Sequence, residues 1–306
     1  MLAPARVYYS AMSFLAALFA LLLDQALHHL EWLRSPRWFQ AYAEALLSFT
    51  RARDRTRATT GVLLTILVPA LLVLFLDGLL THARTGPAPI WDALGFAFYI
   101  AVFWFCLGPK DLHAQAEAYI EASQSGNDAK ARELAGEILE AAPPAAAAER
   151  TQAVTRAVFK EANARLFGVL FWFGLLGPSG AVLYRCADLL VRKPVPGASE
   201  EFRDASERTL GVLAWLPAHL TALGYALAGS FEDAVSDLRG YYHDCKLQFF
   251  QVSDDVLVFG GLGAIRATVG EDAGVSRLKS ALGLVRRTLL IWLVIYALLT
   301  LFGWSW

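Results

Sequence analysis

Four blocks of the chain, residues 7–23, 61–76, 93–108 and 288–306, run for 16 to 19 residues without a charged side chain. A helix of about 20 residues covers the roughly 30 Å hydrocarbon core of a bilayer, so each block with its flanks is long enough to cross. The composition agrees: 56% of the 306 residues are hydrophobic and only 18% charged, too apolar for one soluble domain. The expected fold is an all-α, polytopic membrane protein whose first partner is the lipid bilayer. Arg6 precedes the first block as in a signal peptide, but the block is long and ends at Asp24 without a small-residue cleavage site, so it reads as a retained span.

Basic residues between the blocks set an orientation. The stretch 24–60 holds six Lys and Arg, the short turn 81–90 only Arg84, and 109–165 seven. Cytoplasmic loops are enriched in such residues, which places 24–60 and 109–165 inside and both termini outside. Residues 161–178, "EANARLFGVLFWFGLLGP", then pose a difficulty. A full crossing over 166–190 would export Arg192, Lys193, Arg203 and Arg208. A re-entrant hairpin avoids this: 166–176 enters, Gly177-Pro178 turns the chain, and 181–191 returns. Glycine tolerates positive φ and proline lacks the helical N–H, so the pair suits such a break. The next apolar stretch, 210–227, holds Pro217 and reads as interrupted, with a complete span there as the rival reading. The chain ends in Trp304 and Trp306, rings suited to a membrane interface.

The stretch 109–165 reads as a helical hairpin capping one membrane domain that spans 1–306. Leu112, Ala116 and Ile120 recur at helical spacing, and Asn127 or Asp128 caps a second helix. No second copy of this helix pair supports a solenoid. Net charge is −1, giving no reason to expect nucleic acid as a partner. Cys106, Cys186 and Cys245 lack metal-site spacing, and neither a metal nor a cofactor is called for. The glycine-rich run at Gly260, Gly261 and Gly263 lacks a full nucleotide fingerprint and reads as close helix packing. His28-His29-Glu31 and His243-Asp244-Cys245 read as solvated surface.

Acids near hydrocarbon usually face a cavity or a partner. Asp24 closes the first block, Asp77 interrupts the second, whose apolar run continues to Leu80, and Glu161 and Asn163 stand at the hairpin root beside Arg165. With Tyr184, Arg185 and Asp188 on the returning arm, these define a candidate polar pocket for a small anionic or amide-bearing ligand.

Three blocks, 105–139, 161–190 and 213–235, are similar to AmpE. That resemblance implies a bacterial inner-membrane modulator of β-lactamase induction linked to cell-wall recycling, without catalytic residues of its own, and with a homo-oligomeric or signalling partner. A fainter resemblance is to the CobD/CbiB enzymes of cobalamin biosynthesis, which join an aminopropanol to a corrinoid side-chain carboxylate. It rests on Asp24, Arg37-Trp38, Glu161, Asn163, Tyr184 and Leu216-Pro217-Ala218. The enzymes' Glu-Asn-x-x-Asp-Gly element is incomplete here. Of their Tyr-x-His-Ser-x-Pro-Asn, only the start survives, in Tyr241-Tyr242-His243. These departures favour the modulator, with the amide-forming enzyme and a structural docking protein as the alternatives.

Overall fold

The computed structural model describes residues 3–26, 37–50, 55–83, 90–108, 111–266 and 274–302. His28, His29, Glu31, Arg84, Trp304 and Trp306 lie outside these. The described residues form helices joined by short turns and loops, with no strand among them. The helices are α1 (Ala3–Ala26), α2 (Arg37–Thr50), α3 (Arg55–Ala83), α4 (Ile90–Cys106), α5 (Leu112–Gln124), α6 (Asp128–Leu139), α7 (Ala147–Ala162), α8 (Gly168–Arg192), α9 (Glu200–Ala228), α10 (Phe231–Asp244), α11 (Ser253–Ile265) and α12 (Gly274–Leu301). A π-helical turn, Asn163–Phe167, joins α7 to α8. Four helical stretches are long and apolar enough to cross a membrane: Arg55–Ala83, Ala147–Arg192, Glu200–Ala228 and Gly274–Leu301. The apolar parts of α1 and α4, Ala11–Asp24 and Ile90–Cys106, are shorter.

The chain forms two compact units. The first comprises 1–109, 168–214 and 295–306. There α3 turns Leu67, Leu71, Phe75 and Leu79 outward and buries Ala58, Val62 and Ile66. In water such exposure would be a liability; against lipid tails it costs nothing. Phe103 of α4 packs on Phe173 of α8, ring centres 4.7 Å apart.

The hairpin read from Gly177-Pro178 is present. Gly177 adopts φ 65°, ψ −155°, a region essentially closed to other residues. A Cβ on Gly180 would stand 2.2 Å from the Trp172 carbonyl oxygen, and one on Gly168 2.4 Å from the Tyr184 ring. In a straight helix those pairs would be about 12 and 24 Å apart. Both pairs centre on residue 176, so the two arms of α8 lie antiparallel.

The reading of 210–227 as an interrupted segment is corrected: α9 runs unbroken for 29 residues through Pro217. Proline removes the N–H that would serve the carbonyl four residues back, at Leu213. That carbonyl instead accepts a hydrogen bond from the Trp172 indole, 3.0 Å away. The orphan is satisfied from the hairpin, and the helix need not break.

The second unit comprises 110–167 and 215–294. Asp111 caps α5 by accepting from the His113 N–H at 2.9 Å, and Asn127 caps α6 through the Lys130 N–H at 3.1 Å. Ala116 and Ile120 are buried as their spacing requires. Helices α10 and α11 pack antiparallel, Tyr241 stacking on Phe259 and Gly263 lying against Ala234. A Cβ on Gly261 would sit 2.6 Å from the Phe159 ring, so the glycine run is a packing face.

Candidate functional site

The root of the hairpin is where charge enters the core. Helix α7 would end at Ala162, but one wider turn, Asn163–Phe167, carries the backbone on into α8. Such a turn inserts an extra residue into the helical repeat and re-aims the side chains after it; π-turns recur at functional sites for this reason. Glu161, Asn163 and Arg165 are all at least nine-tenths buried here. The Arg165 Nε donates to Glu161 Oε2 at 2.6 Å, and its Nη1 donates to Gln115 Oε1 of α5 at 2.9 Å. Asn163 Oδ1 accepts from the Thr221 hydroxyl of α9 at 3.1 Å. One turn before, the Tyr225 hydroxyl donates to the Phe159 carbonyl at 3.2 Å. Helices α5 and α9 thus meet the end of α7 and the wide turn with polar groups matched donor to acceptor.

The first unit holds the other predicted residues. Tyr184 is buried with its ring over Gly168. Asp188, its side chain 2% exposed, accepts from Arg185 Nη1 at Oδ2 and from Arg192 Nε at Oδ1, each at 2.6 Å. Two guanidinium groups on the returning arm thus share one carboxylate. Asp77 accepts from the Tyr99 hydroxyl at 3.3 Å, and Asp24 is half-buried near the end of α1. The candidate residues therefore form one cluster about Glu161 in the second unit and another about Asp188 in the first, with Asp77 bonded to α4.

Sequence reasoning missed Gln115, Thr221, Arg192, Tyr99 and Trp172. Arg192 had a visible signal, four residues from Asp188 on one helix face. The others come from distant parts of the chain. His243 and Asp244 are exposed, as read, while Tyr241 donates to Asp255 Oδ2 at 3.0 Å and accepts from Cys245. Burial first, then these hydrogen bonds, push the Tyr241 phenol above its ordinary range. His219 contacts the Trp215 carbonyl through Nδ1 and the Tyr242 hydroxyl through Nε2, each at 2.6 Å. A carbonyl only accepts, so Nδ1 carries a proton. Among the described residues no group of three or more His, Cys, Asp or Glu is placed to hold a metal ion.

Fold and buried ion pairs together define a helical membrane protein with a polar interior around a reversing helix. A family model described as CobD/Cbib protein matches residues 17–248. The chain belongs to that family. A protein described as "Cobalamin biosynthesis protein CobD" from Chromobacterium violaceum is 34% identical over 135 residues, which cover 42% of this chain and 43% of that protein. The match thus spans less than half of that relative's length. No solved structure matches. These similarities correct the expected function: they are to the CobD/CbiB family, and the reading of an AmpE-like modulator of β-lactamase induction is overturned. It gave the lost motif residues more weight than the family resemblance that runs through most of the chain.

Proposed function

We propose that the chain carries out a CobD/CbiB-type step of cobalamin biosynthesis, condensing the amine of an amino-alcohol phosphate with a corrinoid side-chain carboxylate. The family match over 17–248 carries this reading. In such a condensation the γ-phosphoryl group of ATP leaves with the carboxylate oxygen as phosphate and ADP remains, while the ammonium nitrogen bonds to the acyl carbon, releasing two protons and keeping one. The chain must therefore hold an ammonium or amine at one place and an anion at another. Glu161 and Asn163 offer a carboxylate and an amide at the wide turn. In this reading the α8 hairpin is re-entrant, in a multi-pass protein of the inner membrane, with 109–165 on the cytoplasmic side. Within α8 the stretches 168–176 and 178–192 on either side of Gly177 are each shorter than the about 20 residues of a full crossing.

The test is direct. Purified chain in lipid nanodiscs, given adenosylcobyric acid, aminopropanol phosphate and ATP, is expected to yield the amide by mass spectrometry. Glu161→Gln is expected to lower turnover at least tenfold. Absence of product from the wild-type chain, under conditions where an authentic CobD-type synthase turns over, would reject the reading.

A further inference from the structure

An open groove of about 730 Å³ lies between α5 and α12 in the second unit. Its two walls carry opposite charge. Glu117 and Glu121 stand one turn apart on α5; Lys279 and Arg286 stand two turns apart on α12. Ile120, Leu282 and Gly283 also line it. Glu117 pairs with His113 of its own helix at 3.2 Å. Glu121, Lys279 and Arg286 have no ion pair among the described residues. Opposite charges that face one another without closing leave room for a ligand that carries both signs.

The place of the groove along α12 narrows the ligand. One turn after Arg286 the helix begins a stripe of exposed apolar residues, Leu290, Val294, Leu298 and Leu301, 49 to 72% exposed. That stripe is the signature of a lipid-facing helix, and Arg286 stands where α12 leaves it. Basic side chains at this level meet phosphates, while the facing carboxylates select a cationic group that can donate hydrogen bonds.

We propose that the groove binds a phosphorylated primary amine, presented as the headgroup of an aminophospholipid of the ethanolamine type. The phosphate lies against Lys279 and Arg286, and the ammonium donates to Glu121 and Glu117. The volume exceeds the headgroup alone and admits the glycerol backbone as well. Gly283 makes the groove adjustable: nothing lies within 4 Å of a Cβ built there, so a larger side chain enters the groove without disturbing the helix.

The full chain in nanodiscs containing equal phosphatidylethanolamine and phosphatidylcholine, released for native mass spectrometry, is expected to retain the ethanolamine lipid at least fivefold over the choline lipid. The choline group keeps its charge but donates no N–H, so the ratio reads the carboxylates. Glu121→Gln, Arg286→Gln and Gly283→Leu, each with unchanged helicity and melting temperature, are expected to bring the ratio near one. Free phosphoethanolamine that binds wild type but not Gly283→Leu, with no lipid retained, would assign the groove to the amine of the condensation and overturn the lipid proposal. Equal retention of the two lipids, or a preference that survives all three substitutions, overturns it as well. None of these outcomes depends on the condensation activity, so the two readings fail separately.

Discussion

The two buried arginine–carboxylate clusters look alike in distance and differ in what they join. Arg165 meets Glu161 at 2.6 Å within four residues and then reaches Gln115, fifty residues away on α5. Arg185 and Arg192 both meet Asp188 at 2.6 Å, all on one arm of α8. The first is a clamp between helices and fixes how α5 meets the wide turn. The second is local neutralisation, which lets a helix arm carry charge among Ala187, Leu189 and Leu190. A local cluster can form as soon as its helix does, whereas the clamp forms only when the unit has packed. Removing a member should therefore act differently in the two places.

The largest effect is expected at Asp188. Asp188→Asn removes the carboxylate that both guanidinium groups share, and breaking a buried pair in this way costs about 3–5 kcal/mol. Its thermal unfolding in detergent should fall accordingly; a shift under about 1 kcal/mol would mean that Arg185 and Arg192 find other acceptors, and the contrast would collapse. Next comes Gln115→Leu, which takes one acceptor from the Arg165 guanidinium and should cost about 1.5–3 kcal/mol. Hydrogen exchange distinguishes the clamp from a merely local bond, because α5 amides should lose protection while those of α8 keep theirs. The smallest effect is expected at Trp172→Phe, about 1 kcal/mol for the hydrogen bond to the Leu213 carbonyl. In a Pro217→Ala background the restored helical N–H can serve that carbonyl, so the same substitution should then cost less. Equal costs in both backgrounds would show that the indole acts by packing alone.

The positions where expectation and structure part company are instructive. The turn at Gly177-Pro178 was legible because both residues restrict the backbone by themselves. Asn127 as a cap and the packing of Gly261 and Gly263 were legible for similar local reasons. Pro217 misled, since its sequence neighbours give no hint that Trp172 supplies the missing donor. The wide turn at Asn163–Phe167 has no sequence signature of its own, and it decides that Asn163 meets Thr221 and Arg165 meets Gln115. The candidate acids and bases around the hairpin were found, but most of their partners were not. Gln115 and Thr221 are neutral and far from the hairpin in sequence, so nothing local marks them as partners of Arg165 and Asn163.

Length and apolar continuity alone were enough to determine that the chain is helical and able to cross a bilayer, because hydrocarbon leaves an unpaired backbone few other options. They also marked where the chain could reverse. Which donor met which acceptor was decided only by tertiary packing. Hydrogen-bond partners such as Arg165 and Gln115 are set by where helices come to rest, and no spacing along one strand of sequence encodes a distance across fifty residues.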